Sequence, residues 1–177
     1  MIQCPYCGIE NTEGADDCAE CGQPLGDTYL SPPQSEVERS LLRDRIGVLA
    51  PKRPITVAST SPVGDVLRLM MEHGIGCVVV TDGQRTVGIF SERDALRKLN
   101  TEAPDLAARP VGEFMTPNPQ TLVADAKIAF AVQRMDLGGY RHLPIVGERG
   151  ELVGIISARD ILRHLTVNLA RETGPIS

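Results

Sequence analysis

The stretch Val87-Gly-Ile-Phe-Ser-Glu-Arg-Asp-Ala-Leu-Arg-Lys-Leu99 recurs further along the chain as Val153-Gly-Ile-Ile-Ser-Ala-Arg-Asp-Ile-Leu-Arg-His-Leu165, and nine of the 13 positions are identical. The match extends without a gap toward the N-terminus. Residues 45–99 align with residues 111–165 at an offset of 66 residues, and 15 of the 55 positions are identical. An ungapped internal match of this length indicates a tandem duplication. The body of this 177-residue chain is therefore predicted to contain two copies of one structural unit.

Each copy predicts the same β-α-β-β-α order of elements. A short strand is followed by an amphipathic helix, a buried strand, a glycine-containing turn, a further strand and a closing helix. The predicted strands cover residues 55–58 and 77–80 in the first copy and residues 121–124 and 143–146 in the second, and the closing helices end near Leu99 and Ala170. In the first copy Ser61 is the expected cap of the first helix. The apolar positions of the two first helices are Val63, Val66, Leu67, Met70 and Met71, and Ile128, Val132 and Met135.

Both copies carry the same short motif of glycine, an apolar residue, any residue, serine, two variable residues and aspartate. The two instances are Gly88-Ile-Phe-Ser91-Glu-Arg-Asp94 and Gly154-Ile-Ile-Ser157-Ala-Arg-Asp160. The glycine lets a strand end approach a ligand closely, and the serine begins a helix whose free N–H groups and dipole favour a phosphate. The aspartate can accept hydrogen bonds from ribose hydroxyls. Ser-x-x-Asp is also a plain capping box, so a purely structural interpretation stays open.

With these motifs on a duplicated β-α-β-β-α unit, residues of about 40–170 resemble a pair of cystathionine-β-synthase-type (CBS) domains, a Bateman module. The resemblance implies an α+β fold of tandem CBS domains with pseudo-twofold symmetry, and a homodimer. It also implies a non-enzymatic regulatory protein that binds AMP, ADP, ATP or S-adenosylmethionine in the cleft between the two domains. The alternative is a constitutive interaction scaffold whose clefts are empty or vestigial.

The two copies differ where the resemblance places phosphate contacts. Arg141 and His142 enter the buried strand of the second copy, and the aligned residues of the first copy are Ile75 and Gly76. In nucleotide-binding CBS domains these positions face the cleft. We therefore expect the site containing Asp160 to bind phosphate more tightly than the site containing Asp94. For His142 a hydrogen-bonded structural role is the alternative.

The first 25 residues carry a different motif, two Cys-x-x-Cys pairs separated by ten residues. The four cysteines are Cys4, Cys7, Cys18 and Cys21. Each pair predicts a tight turn that aims two sulfurs at one point, and a glycine after each pair frees the backbone to turn. The spacing predicts a structural site for one zinc ion per chain. Two disulfides are the disfavoured alternative, because nothing suggests export. Residues 1–25 resemble a zinc ribbon.

The charge of this N-terminal part suggests what it contacts. Six carboxylates and no Lys or Arg lie in residues 1–35, whereas the rest of the chain has 18 basic and 17 acidic side chains. A tetrathiolate zinc site adds two further negative charges. Phosphate backbones are held by Lys and Arg, so a protein partner is expected and nucleic acid is not.

The remaining sequence features complete the expected organisation. Residues 26–35 predict a linker, and Ser35 with Glu38 predicts a capping box that begins a helix running to about Ile46. CBS domain 1 with its leading helix would then cover residues 36–103, and CBS domain 2 residues 104–177.

The composition is that of a globular protein, with a mean hydropathy of −0.07, and no apolar run reaches the roughly 18 residues of a membrane span. With no signal segment and no catalytic motif, a cytoplasmic protein that is not an enzyme is expected.

Overall fold

A computed structural model of the chain describes residues 1–4, 7–12, 15, 17–23, 25 and 35–173, with side chains to residue 171. The predicted linker at 26–35 lies outside the described residues except for Ser35. The chain forms two compact units. One comprises Met1–Pro51, Leu122–Ile145 and Ile156–Ser177, and the other Lys52–Thr121 and Val146–Ile155.

The N-terminal elements are a small hairpin and one helix. Strands β1 (Ile2–Gln3) and β2 (Glu10–Asn11) pair antiparallel. Helix α1 (Glu36–Arg43) begins as predicted at Ser35, whose hydroxyl accepts a hydrogen bond from the backbone N–H of Glu38 at 3.0 Å. The predicted end near Ile46 is wrong, because Asp44 is extended (φ −71°, ψ 142°) and a separate 3-10 helix follows at Ile46–Leu49.

The first copy has the predicted β-α-β-β-α order. Its elements are β3 (Thr56–Ala58), α2 (Val63–His73), β4 (Cys77–Asp82), β5 (Arg85–Ser91) and α3 (Glu92–Lys98). After a 3-10 turn at Asn100–Glu102, the chain continues through α4 (Ala103–Leu106) and a 3-10 turn at Val111–Glu113 to β6 (Thr116–Pro117). The sheet order is β3-β4-β5-β6, with β3 parallel to β4 and the other pairs antiparallel.

Two details of helix α2 differ from the sequence prediction. Pro62, and not Ser61, occupies the N-cap position, and it makes no side-chain cap hydrogen bond. Met71 is 82% exposed and so lies outside the apolar face. The core of the first copy is otherwise aliphatic apart from two phenylalanines, and it includes Val63, Val66, Met70, Val78, Val80, Phe90 and Phe114.

The second copy repeats the order with β7 (Leu122–Val123), α5 (Ile128–Gly138), β8 (His142–Val146), β9 (Leu152–Ser157) and α6 (Ala158–Thr173). Its sheet order is β7-β8-β9. The α+β class is therefore confirmed. Within the described residues, no helix has both the length and the apolar character needed to cross a bilayer. The buried apolar residues of this copy include Leu122, Ile128, Met135, Leu143, Ile145 and Ile156.

A buried polar network joins α1 to α6. The Ser40 hydroxyl lies 2.5 Å from Asp44 Oδ2 and 2.7 Å from His164 Nε2, and it accepts a hydrogen bond from Asn168 Nδ2 at 2.8 Å. The same His164 nitrogen lies 2.9 Å from Asp44 Oδ2. A Ser-His-Asp catalytic triad needs serine and aspartate on different ring nitrogens. The network therefore does not have the geometry of a catalytic triad, and it holds α1 against α6.

Removing the Ser40 hydroxyl is expected to destabilise the protein by about 1–3 kcal/mol, because buried donors and acceptors of His164 and Asn168 lose a partner. Urea unfolding of Ser40→Ala measures this cost. The control is Thr166→Ala on the exposed face of α6, where Thr166 donates to the Leu162 carbonyl of its own helix at 2.8 Å and the expected cost is within about 0.5 kcal/mol. Equal effects of the two substitutions would contradict the assigned role of the network.

Candidate functional site

The two cysteine loops have the same backbone geometry. The N–H groups of Cys4 and Cys18 each donate to the carbonyl five residues later, at 2.7 Å in both loops. The N–H groups of Gly8 and Gly22 donate back to Cys4 and Cys18, at 2.8 Å in both. Both glycines have positive φ, +80° and +66°, a conformation that residues with a Cβ rarely adopt. The predicted role of the glycine after each pair is thereby confirmed.

These loops bring four sulfurs together. All four Sγ atoms, from Cys4, Cys7, Cys18 and Cys21, lie within 4.8 Å of one another. Cys4 Sγ is 3.7 Å from Cys21 Sγ, and Cys7 Sγ is 3.5 Å from Cys18 Sγ. A disulfide would need about 2.05 Å, whereas tetrahedral ligands at about 2.3 Å from a metal lie about 3.8 Å apart. The four thiols therefore fit a metal ion, which they could hold together.

The sulfurs differ in how readily they ionise. Backbone N–H groups of Cys21 and Glu20 and the side-chain amide of Asn11 donate to Cys18 and hold its pKa at about 6, against the opposing effect of burial. Burial raises the pKa of Cys21 to about 12 and also raises that of Cys7. Among the cysteines whose pKa is shifted, Cys18 is therefore the one that ionises most readily. Because the thiolate is the form that binds a cation, this sulfur is prepared for a metal.

The first Ser-x-x-Asp motif forms a capping box at the junction of β5 and α3. The Ser91 hydroxyl accepts from the N–H of Asp94 at 3.3 Å, and Asp94 Oδ2 accepts from the N–H and the hydroxyl of Ser91, at 3.0 and 2.6 Å. The capping interpretation of the sequence is therefore confirmed for this copy.

The other oxygen of Asp94 is also occupied. Its Oδ1 accepts from Thr116 Oγ1 and from Lys98 Nζ, both at 2.9 Å. Burial opposes ionisation of Asp94, but these hydrogen bonds and the Lys98 charge hold its pKa below the usual value. A carboxylate offers about four acceptor positions, and four donors of the protein fill them here.

Gly88, the glycine of this motif, is required by close packing within the chain. A Cβ built on Gly88 would lie 2.3 Å from Met115 Sδ and 3.0 Å from the Thr116 carbonyl oxygen. Gly88 pairs with Pro117 of β6 in the sheet. The glycine therefore allows the close approach of β6, a neighbouring strand of the same chain.

In the second motif the aspartate again accepts hydrogen bonds from the serine. Asp160 Oδ2 accepts from the N–H and the hydroxyl of Ser157, at 2.8 and 2.6 Å. Its Oδ1 lies 3.4 Å from an Arg163 guanidinium nitrogen, and that arginine side chain is 70% exposed. The positions aligned with Thr116 and Lys98 are Ala50 and His164. The side chains at these aligned positions thus differ from the Thr116 hydroxyl and the Lys98 ammonium.

The remaining predicted ligand residues of the second copy lie near the start of α6 or along its strands. Arg141 is exposed, and its carbonyl accepts from the N–H of Ala158, the first residue of α6, at 2.9 Å. His142 is half-buried and begins β8, and Gly154 is buried within β9. The structure therefore places Arg141 beside the Ser157 cap.

Comparison with known proteins identifies the duplicated unit. The sequence model of the CBS domain matches residues 46–101 and 111–167, more than half of the chain. The chain belongs to the CBS domain family. The two matched CBS domains contain the two Ser-x-x-Asp motifs, and the four-cysteine cluster lies outside them.

Several known proteins are similar to this chain over about 70% of its length. The chain is 33% identical over 122 residues, 68% of its length, to an uncharacterized 17.7 kDa protein of Acidianus ambivalens, of which the match covers 73%. A putative signal-transduction protein with CBS domains from Burkholderia ambifaria is 30% identical, with a TM-score of 0.64, 72% of this chain and 91% of that one covered. A CBS domain protein of Pyrobaculum aerophilum, solved in complex with AMP, is 28% identical with a TM-score of 0.59, covering 70% of this chain and 98% of that one.

Sequence reasoning missed the residues around the two CBS motifs and the cysteine cluster. Lys98 follows Asp94 by four residues, a spacing that favours an ion pair on a helix, so this partner could have been found. Thr116 lies 22 residues beyond Asp94 and gives no local signal. Asn11 contacts Cys18 across seven residues of the chain and also gives none.

Proposed function

We propose that the protein is a non-enzymatic regulatory protein whose CBS pair binds an adenosine-containing ligand: AMP, ADP, ATP or S-adenosylmethionine. The observation that carries this proposal is the group of polar residues at the start of α6, where the Ser157 cap, the Asp160 carboxylate and the Arg141 backbone meet. The AMP complex of the Pyrobaculum aerophilum relative supports an adenine nucleotide as the ligand class.

The ligand is proposed to use the second motif in preference to the first. Ser157 and Gly154 would approach the phosphate or ribose, Asp160 would accept from ribose hydroxyls, and Arg141 and His142 would hold phosphate. In the first motif the four acceptor positions of Asp94 are filled by Ser91, Lys98 and Thr116. A ribose would have to displace these donors, so the site of Gly88, Ser91 and Asp94 is proposed to be weaker or empty.

This proposal predicts that AMP raises the melting temperature of the wild-type protein, because a ligand that binds the folded state stabilises it. Arg141→Ala is expected to weaken AMP binding at least tenfold in isothermal titration calorimetry, since a charge-assisted hydrogen bond to phosphate is lost. The matched control is Arg97→Ala on α3, another exposed arginine, with an expected change below twofold.

Titrations with ATP and S-adenosylmethionine on the same variants identify the ligand class. If none of the three ligands binds the wild-type protein, the sensor proposal fails. A constitutive scaffold, the second candidate function, then remains, and the filled acceptors of Asp94 already favour it for the first motif. Equal losses in Arg141→Ala and Arg97→Ala would instead contradict the placement of the site.

For the N-terminal cluster we propose one structural zinc ion held by Cys4, Cys7, Cys18 and Cys21. A bound zinc would cross-link the two loops, and four thiolate ligands leave no open position for a catalytic water. The carboxylates of Glu10, Asp17 and Glu20 are exposed around it. Such an acidic surface suits a protein partner with basic groups and repels phosphate backbones.

The domain organisation and assembly are part of the same proposal. The zinc-binding domain would cover residues 1–25, the linker 26–35, and the two CBS domains with their flanking segments 36–103 and 104–177. The protein is further proposed to form a homodimer. Native mass spectrometry reports the oligomeric state, the zinc content and any co-purified nucleotide in one measurement.

A further inference from the structure

The side chain of Asn11 is buried next to the cysteine cluster. Asn11 is 5% exposed, and it lies in β2 between the two cysteine loops in sequence. Its Nδ2 donates to the Ile9 carbonyl at 2.9 Å and to Cys18 Sγ at 3.5 Å. Its Oδ1 accepts from the N–H of Ala19 at 2.9 Å. One amide group thus connects the end of the first loop to the second loop and to a sulfur.

The chemistry of these three bonds requires an amide. The carbonyl oxygen of Asn11 serves the Ala19 N–H, and its NH₂ group has two hydrogens, enough for Ile9 and Cys18 together. An aspartate of nearly the same shape would keep the acceptor for Ala19. It would also place a negatively charged oxygen where Nδ2 now faces the Cys18 sulfur.

We propose that Asn11 is a positioning residue for the metal site, which orients the Cys18 thiolate and withdraws charge from it through the N–H···S hydrogen bond. The inference rests on the proposed zinc site and adds a residue outside the ligand set. A site of four thiolates and one divalent cation carries two excess negative charges, so a donor to sulfur stabilises it. Hydrogen-bond partners of metal ligands commonly change metal affinity by about 10- to 100-fold.

The test uses the full chain as wild type, Asn11→Asp and a control, Gln3→Ala. Gln3 lies on β1 of the same hairpin, and its exposed side chain donates to the Gly8 carbonyl at 3.1 Å. Zinc affinity is measured by competition with a chromophoric chelator. Asn11→Asp is expected to bind zinc at least tenfold more weakly, and Gln3→Ala within twofold of wild type.

A second measurement separates positioning from a general loosening of the loops. Each zinc-loaded protein is alkylated slowly with iodoacetamide, and mass spectrometry maps the modified cysteines. Because a hydrogen bond to sulfur lowers its reactivity, Asn11→Asp is expected to accelerate alkylation selectively at Cys18. An equal increase at all four cysteines, or a zinc affinity within twofold of wild type, overturns the inference.

The outcomes also distinguish this inference from the zinc proposal. If the wild-type chain takes up no zinc, the metal proposal fails and the role of Asn11 fails with it. If the wild type takes up one zinc per chain and Asn11→Asp behaves like wild type in both measurements, only the role of Asn11 fails.

Discussion

Cys18→Ser is expected to abolish stoichiometric metal binding, with the zinc content falling from about one per chain to a background level. Cys18 is the sulfur whose pKa is lowered to about 6, so the substitution removes the cluster's readiest thiolate. A serine hydroxyl is a poor replacement, because it stays protonated at neutral pH and the site needs four anionic sulfurs. Elemental analysis of the purified protein, normalised to chain concentration, measures the result.

The matched control is Cys77→Ala, because Cys77 is the one cysteine outside the cluster. It is 6% exposed in β4 and packs with Val79 and Ile89. Burial raises the pKa of its thiol to about 12, so it is neutral and unsuited to bind metal. Cys77→Ala is expected to keep its zinc and to lose about 1 kcal/mol of stability. Full zinc content in Cys18→Ser would contradict the ligand assignment.

The cysteine site was predictable from sequence because its geometry is local. Each Cys-x-x-Cys pair and its glycine form one loop, and the hydrogen bonds that shape the loop span four or five residues. The spacing of the cysteines was therefore enough to predict that the four sulfurs come together. The contribution of Asn11 was not predictable, since it depends on how two separate loops pack against β2.

In the CBS copies, too, features set by neighbouring residues could be predicted from the sequence, and features set by distant contacts could not. The duplicated pattern predicted every strand and helix of the β-α-β-β-α unit, because hydrophobic periodicity is a property of neighbouring residues. The end of α1 depends instead on Asp44, which is extended and bonds to His164, 120 residues away. Such a contact leaves no periodic trace in the sequence.

The structure also changes what the repeated motif means. The Ser-x-x-Asp motif is the same in the two copies, and in both the aspartate accepts hydrogen bonds from the N–H and the hydroxyl of the serine. What distinguishes the copies lies outside the motif, in Thr116 and Lys98 around Asp94 and in Arg163 near Asp160. The same four-residue motif therefore has different neighbours in the two copies.

This difference leads to the largest stability effect that we expect from a single polar substitution. Asp94→Ala is expected to destabilise the protein by about 3 kcal/mol, because it removes a helix cap and leaves Lys98 and Thr116 without a buried carboxylate partner. Asp160→Ala removes the acceptor of the Ser157 N–H and hydroxyl and a 3.4 Å contact to exposed Arg163, and a smaller cost of about 1 kcal/mol is expected. Chemical denaturation of both variants measures the two costs.

Glu92→Ala is the control for the loss of negative charge, since Glu92 is exposed in the same first turn of α3 as Asp94. Its expected cost is within about 0.5 kcal/mol. If Asp94→Ala proves no more costly than Glu92→Ala, the hydrogen bonds around Asp94 do not stabilise the fold as the structure indicates.

The pH dependence tests the charge of Asp94 directly. Its pKa is lowered in the folded protein, so its contribution to stability is fully present above the unfolded-state pKa of about 3.9 and is lost as the pH falls through the lower folded-state value. The stability difference between wild type and Asp94→Ala is therefore expected to be constant from about pH 7 to pH 5 and to shrink below about pH 4. A difference that stays unchanged in acid would mean that packing, and not the carboxylate charge, holds β6 and α3 together at this position.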